Sequence, residues 1–281
     1  MNNPDSKREL VIEQIRPYGR LVVALSGGVD SAVLLALSRE ALGPEAVLAI
    51  TAISDSLPRR DLEDAQSVSS RLGVEHELVE TAELGLPEYR ANDENRCFYC
   101  RNELFRVLRK VAQDRGITEI AYGAIKDDIG DYRPGMKAAV AWGIRAPLLE
   151  AGVDKQAVRE IARDFGLSVD TKPAAACLAS RIPGGTEVTE ERLRSVELAE
   201  EALRELGFGQ LRVRHHGDVG RIELENDDLA RLGDPVLRSR VVAAVRNAGF
   251  RFCALDLEGY RAGSLNLVVP GPGNPARTGG Q

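Results

Sequence analysis

The sequence predicts an α/β protein: a doubly wound parallel sheet followed by a smaller α+β domain. Three observations predict it. Short apolar or β-branched runs alternate with longer helical stretches from Leu21 to about Leu149. The periodicity is then lost in a run rich in Pro, Gly and small residues around Asp170–Gly185, and the segments beyond it change order, with one helix leading a group of strands. Strands alternating with helices imply parallel pairing with helical crossovers on both faces. With 281 residues, the chain is long enough for two modest domains, since single cores stop growing near roughly 250–300 residues.

In order, the expected strands of the first domain are Leu21–Leu25, Ala46–Ile53, Glu75–Glu80, Ile120–Gly123 and Arg145–Leu148. The expected helices are Ser31–Leu42, Arg59–Leu72, Asn102–Asp114 and Asp154–Phe165, each with apolar residues at three- and four-residue spacing. In the second domain Thr189 is the expected N-cap of a helix to Leu206. Strands near Leu211–His215 and Gly220–Leu224, a helix Pro235–Ala248 and a strand near Phe252–Leu257 follow. The domains are therefore drawn at residues 1–170 and 171–269. Residues 270–281, rich in Gly and Pro, form a tail with too little to bury and are expected to be disordered.

Composition narrows the function. Hydrophobic residues make up 43% and charged residues 28%, the balance of an ordinary globular protein. The net charge of −6 disfavours a protein that neutralises many phosphates, so transfer RNA is a poor candidate substrate and no nucleic-acid partner is expected. Met1 to Arg20 contains no long apolar run, so neither a signal peptide nor a membrane span is expected and the reading is cytoplasmic.

The first expected strand runs into Ser26-Gly27-Gly28-Val29-Asp30-Ser31, which opens a helix. Glycines let backbone N–H groups approach a phosphate, the hydroxyls of Ser26 and Ser31 can donate to it, and the helix N-terminus adds partial positive charge. This is an anion cradle. It has neither the Lys of a Walker loop nor the spacing of a dinucleotide fingerprint, although a plain turn with a helix cap would use the same residue types.

The four cysteines are Cys97, Cys100, Cys177 and Cys253. Arg96-Cys97-Phe98-Tyr99-Cys100-Arg101 sets two thiols at C-x-x-C spacing beside cations, which favours thiolates and leaves redox, zinc and iron–sulfur readings open. Cys177 lies among small residues between Lys172 and Arg181, and those cations favour a thiolate over an inert buried thiol. Cys253, in the apolar run Phe252–Leu255, reads as core.

The string S-G-G-V-D-S after a buried strand resembles the PP-loop of ATP pyrophosphatases, the adenine nucleotide alpha hydrolase-like fold, which split ATP into AMP and pyrophosphate. That resemblance implies that Asp30 helps hold Mg²⁺ and pyrophosphate, and that Thr51 to Ser54 receives the adenosine. Added to it, C-F-Y-C, the acidic loop Asp127-Asp128-Ile129-Gly130-Asp131-Tyr132-Arg133-Pro134-Gly135 and K-P-A-A-A-C-L-A-S-R-I-P resemble the LarE family, from about Lys7 to Asn266. LarE proteins make the nickel-pincer cofactor of lactate racemase.

The LarE resemblance implies ATP-dependent conversion of the carboxylates of pyridinium-3,5-biscarboxylic acid mononucleotide, through acyl adenylates, to thiocarboxylates. It implies a nucleotide site of Ser26, Gly27, Gly28, Asp30, Ser31, Thr51, Ser54, Gly123 and Asp128, and a substrate site of Ser180, Arg181, Glu200, Arg212 and Arg214. Cys177 and Asp30 would be catalytic. Arg212 and Arg214 alternate on one expected strand and share a face, with Glu200 on the preceding helix; a solvated ion-paired face is the plainer reading of the same pattern. The family has two forms. In one, the cysteine matching Cys177 gives up its own sulfur; in the other, cysteines matching Cys97, Cys100 and Cys177 hold a [4Fe-4S] cluster, and this chain has all three. Homo-oligomers, commonly hexamers, are also implied. Ile125, Lys126, Asp170 and Thr171 depart from the family pattern. The competing readings are another PP-loop reaction, such as transfer RNA thiolation or amidation, and a nucleotide-binding module with a structural metal site.

Overall fold

The computed structural model describes residues 4–129, 134–173 and 176–261. The chain divides into two compact units, Met1–Cys177 and Leu178–Gln281. Cys177 therefore closes the first unit. Gly130 to Arg133 of the acidic loop, Ala174 and Ala175, and the tail lie outside the described residues.

The first unit runs α1 (Pro4–Ile15), β1 (Leu21–Ala24), α2 (Val29–Leu42), β2 (Val47–Ile53), α3 (Arg59–Leu72), β3 (Glu75–Glu80), α4 (Pro87–Arg90), α5 (Arg96–Asp114), β4 (Glu119–Tyr122), α6 (Pro134–Ala141), α7 (Pro147–Glu150) and α8 (Lys155–Asp164). Its strands pair in parallel in the order β3-β2-β1-β4. Successive side chains of a strand point to opposite faces, and β1 is apolar at every position because both faces are covered. Leu21 and Val23 pack with α1, α2, α3 and α8, while Val22 packs with Phe105 and Leu108 of α5 and Ala138 of α6. This is the doubly wound sheet the sequence predicts.

Two local expectations are corrected. Arg145–Leu148 is not a strand: Arg145 makes an isolated parallel bridge with Ala121, and Pro147, which lacks an N–H for a ladder, starts α7 instead. The helix expected from Asn102 begins six residues earlier, at Arg96, so C-F-Y-C forms its opening turns.

The second unit contains α9 (Glu190–Glu205), β5 (Leu211–His216), β6 (Val219–Leu224), α10 (Asn226–Arg231), α11 (Pro235–Asn247) and β7 (Phe252–Leu255). Thr189 caps α9 as expected, its Oγ1 accepting from the Arg192 N–H at 3.3 Å. β5 and β6 are antiparallel and β7 joins β6 in parallel, giving the order β5-β6-β7. No helix among the described residues is long and apolar enough to cross a membrane.

Candidate active site

Chain order in the first sheet reverses between β1 and β4, so the crevice beyond the carboxyl ends of these neighbouring strands is where an α/β sheet binds ligands. The S-G-G-V-D-S loop leaves β1 at this point. Ser31 Oγ donates to the Gly28 carbonyl (3.0 Å), accepts from the Ser26 N–H (3.1 Å) and lies 3.1 Å from Ser26 Oγ, which closes the loop on itself at the start of α2. Gly27 has φ +73°, and a Cβ there would lie 1.9 Å from the Asp61 carbonyl oxygen. Gly123, just after β4, is equally confined: a Cβ would lie 2.7 Å from the Ser31 nitrogen. Thr51 is buried and spends its hydroxyl on the Leu25 carbonyl (2.7 Å) while meeting His76 Nε2 at 2.8 Å, so it braces the loop from β2. Ser54 Oγ pairs with Ser56 Oγ at 3.0 Å.

The Asp30 carboxylate faces Lys155, whose Nζ lies 2.8 Å from both oxygens. Burial pushes the Asp30 carboxyl above its ordinary value; Lys155 opposes this and Asp128 adds to it. The loop after β4 completes the surroundings. Asp128 accepts from the Ile125 N–H at 3.0 Å, and Asp127 accepts from the Lys155 N–H at 2.9 Å at the first residue of α8. The departure at Ile125 is a buried core residue, and that at Lys126 donates its N–H to the Val153 carbonyl at 2.8 Å.

Cys97 and Cys100, three residues apart on α5, share a face of the helix. They stand in one electrostatic neighbourhood with Cys177: burial, then Cys177, Glu83 and Cys97, push the Cys100 thiol up to about 12 against the pull of Arg101. At Cys100 burial outweighs the pull of Arg101, contrary to the thiolate that the flanking cations lead one to expect. Arg96 serves the other two. Its guanidinium lies 4.0 Å from Cys97 Sγ, and although burial opposes its charge, Cys177, Cys97 and Tyr89 hold it above its ordinary value. Tyr89 is buried beside the same sulfurs, and burial, followed by Cys177, raises its hydroxyl. Among the described residues no three His, Cys, Asp or Glu side chains are grouped to hold a metal ion. The three thiols thus form a neighbourhood of soft donors with the chemistry of an iron–sulfur ligand set but without its closed spacing.

In the second unit, Glu200 is 1% exposed and accepts from Arg181 Nε (2.9 Å) and Nη2 (3.2 Å), from Arg204 (2.8 Å) and from the Val213 N–H (3.1 Å). Burial alone would raise its carboxyl; Arg181, Arg204 and Arg212 hold it below the ordinary value. Arg214 bonds Glu223 (2.8 Å) and the Ser180 carbonyl (3.1 Å), and Arg221 bridges Glu223 (3.1 Å) and Asp256 (2.7 Å). Arg212 lies over the Tyr260 ring at 5.3 Å, and burial, then Arg181, lowers its guanidinium. All five residues expected to bind substrate, Ser180, Arg181, Glu200, Arg212 and Arg214, gather here. Among the described residues, Arg181, Arg204, Arg212, Arg214 and Arg221 gather here with Glu200, Glu223 and Asp256.

The sequence of this chain matches the model of the NAD synthase family over residues 9–103. An uncharacterized protein of Synechocystis sp. is 42% identical over 265 residues, covering 94% of this chain and 98% of that protein. The pyridinium-3,5-bisthiocarboxylic acid mononucleotide synthase of Lactiplantibacillus plantarum is 34% identical over 262 residues, covering 93% of this chain and 94% of the synthase. The chain belongs to the LarE family. It is a PP-loop enzyme of the ATP pyrophosphatase type with a sulfur transferase role.

In this LarE protein two charged residues beside the expected sites carry no motif. Lys155 supplies next to Asp30 the cation missing from the loop itself, and Glu223, fully buried, is the second carboxylate of the arginine cluster. Neither carries a motif. Gly27 gives a direct test of the loop. Gly27→Ala places a side chain at a left-handed φ and into the Asp61 backbone, so it is expected to cost roughly 2–4 kcal/mol of unfolding free energy and to abolish protection by ATP. Denaturant unfolding with and without ATP measures both; unchanged protection would refute the cradle.

Proposed function

We propose that the chain adenylates the carboxylates of pyridinium-3,5-biscarboxylic acid mononucleotide and converts them to thiocarboxylates for synthesis of a nickel-pincer cofactor. The observation that carries this reading is the gathering, in the first unit, of a phosphate cradle with Asp30 and Lys155 and of Cys100 in one electrostatic neighbourhood with Cys97 and Cys177, in a chain aligned along 94% of a named synthase. A carboxylate is a poor electrophile. Adenylation gives it AMP as leaving group, and a sulfur nucleophile can then displace AMP. Ser26, Gly28 and Ser31 receive the phosphates, and Asp30 would hold the Mg²⁺ that neutralises the departing pyrophosphate. Lys155, paired with Asp30, would add positive charge beside it.

The gathering of arginines in the second unit supports recognition of the anionic substrate by Arg212 and Arg214, with Glu200 fixing Arg181. For sulfur, Cys97, Cys100 and Cys177 would hold a [4Fe-4S] cluster with one iron left open, since full ligation takes four thiolates, and the cluster would supply sulfide. The second reading, sacrifice of Cys177 itself, is favoured by one observation: among the described residues Cys97, Cys100 and Cys177 are not grouped closely enough to hold a metal ion.

The test is anaerobic incubation with ATP, Mg²⁺ and the bis-carboxylate. AMP and pyrophosphate are expected, in amounts that depend on the carboxylate. ADP and phosphate, or no turnover, would overturn the reading, the latter in favour of a binding module.

A further inference from the structure

We infer that Lys172 is a positioning residue that registers the Cys177 segment against the nucleotide loop and so links adenylation to sulfur delivery. The inference rests on the sulfur-transfer reading above and assigns a role to a residue outside both sets of site residues.

An ammonium group has three protons to donate, and Lys172 places all three. Its Nζ donates to the Gly27 carbonyl at 2.9 Å and pairs with Asp61 at 2.8 Å and with Asp64, with its side chain only 9% exposed. The backbone on either side is pinned too. Lys172 donates its N–H to the Val169 carbonyl (3.1 Å), and Arg159 of α8 donates to the carbonyls of Asp170 (2.6 Å) and Lys172 (3.1 Å). The charge that sequence reasoning assigned to lowering the Cys177 thiol is thus spent on α3 and the nucleotide loop.

What this does follows from peptide geometry. The carbonyl of Gly27 and the N–H of Gly28 belong to one trans peptide and point in opposite directions. By holding the carbonyl, Lys172 fixes the direction of the Gly28 N–H at the start of α2, where the anion is read. Behind the loop stand two carboxylates, Asp61 and Asp64, which would repel a phosphate; Lys172 offsets one of those charges. Cys177 is only five positions on from Lys172, a reach of at most roughly 18 Å even fully extended. One side chain therefore holds both the loop that binds ATP and the base of the segment that presents sulfur.

The proposal predicts that breaking this tie uncouples two steps that a simple loss of fold would depress together. For Lys172→Met, the thiocarboxylate formed per pyrophosphate released is expected to fall on the order of a hundred-fold, the effect of misplacing a reacting group by about 1 Å. Lys172→Arg, which retains the cation, should recover part of that ratio. Asp64→Asn removes one of the three partners and guards against a Met variant that fails to fold; it should lower the same ratio by a smaller factor. A second readout needs no turnover: the alkylation rate of Cys177, followed by peptide mass spectrometry, should respond to ATP in the wild type and not in Lys172→Met. An unchanged ratio, or equal loss of both steps with Cys177 still responding to ATP, would overturn the proposal. Failure of the function reading shows differently, as a wild type that releases no pyrophosphate with the carboxylate, and the alkylation experiment still reports on the tie.

Discussion

Cys177→Ser is expected to stop thiocarboxylate formation altogether while pyrophosphate release continues, because the cradle at β1 and the Asp30–Lys155 pair do not use the thiol. A serine hydroxyl has no sulfur to give, binds iron more weakly than a thiolate and does not ionise near neutral pH, so the sulfur chemistry should be lost. The companions decide between the two sulfur routes. If three thiolates share a cluster, Cys97→Ser and Cys100→Ser must each abolish the brown chromophore, since a three-thiolate site has no spare ligand. If Cys177 gives up its own sulfur, those two variants keep most activity, turnover ends after one sulfur per chain, and mass spectrometry finds dehydroalanine at Cys177. Cys253→Ser should change nothing: Cys253 belongs to β7 of the other unit, and burial raises its thiol. Thiocarboxylate made by a Cys177→Ser protein would remove Cys177 from the reaction.

The parts legible in the sequence are those whose cause is local. Arg59–Leu72 and Glu75–Glu80 have the bounds read from their patterns, because helical spacing and the Gly73 that ends the helix ahead of the strand are local signals. Thr189 was readable as a cap for the same reason. Arg145–Leu148 was misread because a short apolar run does not by itself specify a strand, and Pro147 favours the first turn of a helix. The opening of α5 was missed because the buried apolar residues of this helix, Phe105, Leu108 and Ala112, begin beyond Arg101. Lys155 and Lys172 could not have been found at all: their partners lie 125 and 145 residues away, at Asp30 and Gly27, and no local pattern records such a pairing. Glu223 was hidden likewise, reading as the polar position of an alternating strand until Arg214 and Arg221 close on it.

Removing the Glu200 side chain is expected to damage the second unit more than any other single substitution in the arginine cluster. Glu200 takes four hydrogen bonds from Arg181, Arg204 and Val213, and Arg181, whose own side chain is 3% exposed, has its charge balanced there. Glu200→Ala leaves that guanidinium buried without its carboxylate, which costs about 3–5 kcal/mol where such pairs are broken from one side. The pair also has a pH signature. The folded-state carboxyl lies below its ordinary value of about 4.3, so its contribution is fully present above that value and is lost as pH falls through the lower folded-state value. Urea unfolding of the second unit's transition between neutral pH and about pH 3 should therefore show a loss of stability in the wild type that is flattened in Glu200→Gln, which cannot titrate. Replacing Glu200 and Arg181 together by Met should recover much of what Glu200→Ala loses, since apolar packing of similar volume substitutes for a buried pair, while binding of the anionic mononucleotide stays impaired. An unaltered pH dependence in Glu200→Gln would place the acid sensitivity elsewhere, and full substrate affinity in the double Met variant would separate this pair from recognition of the substrate.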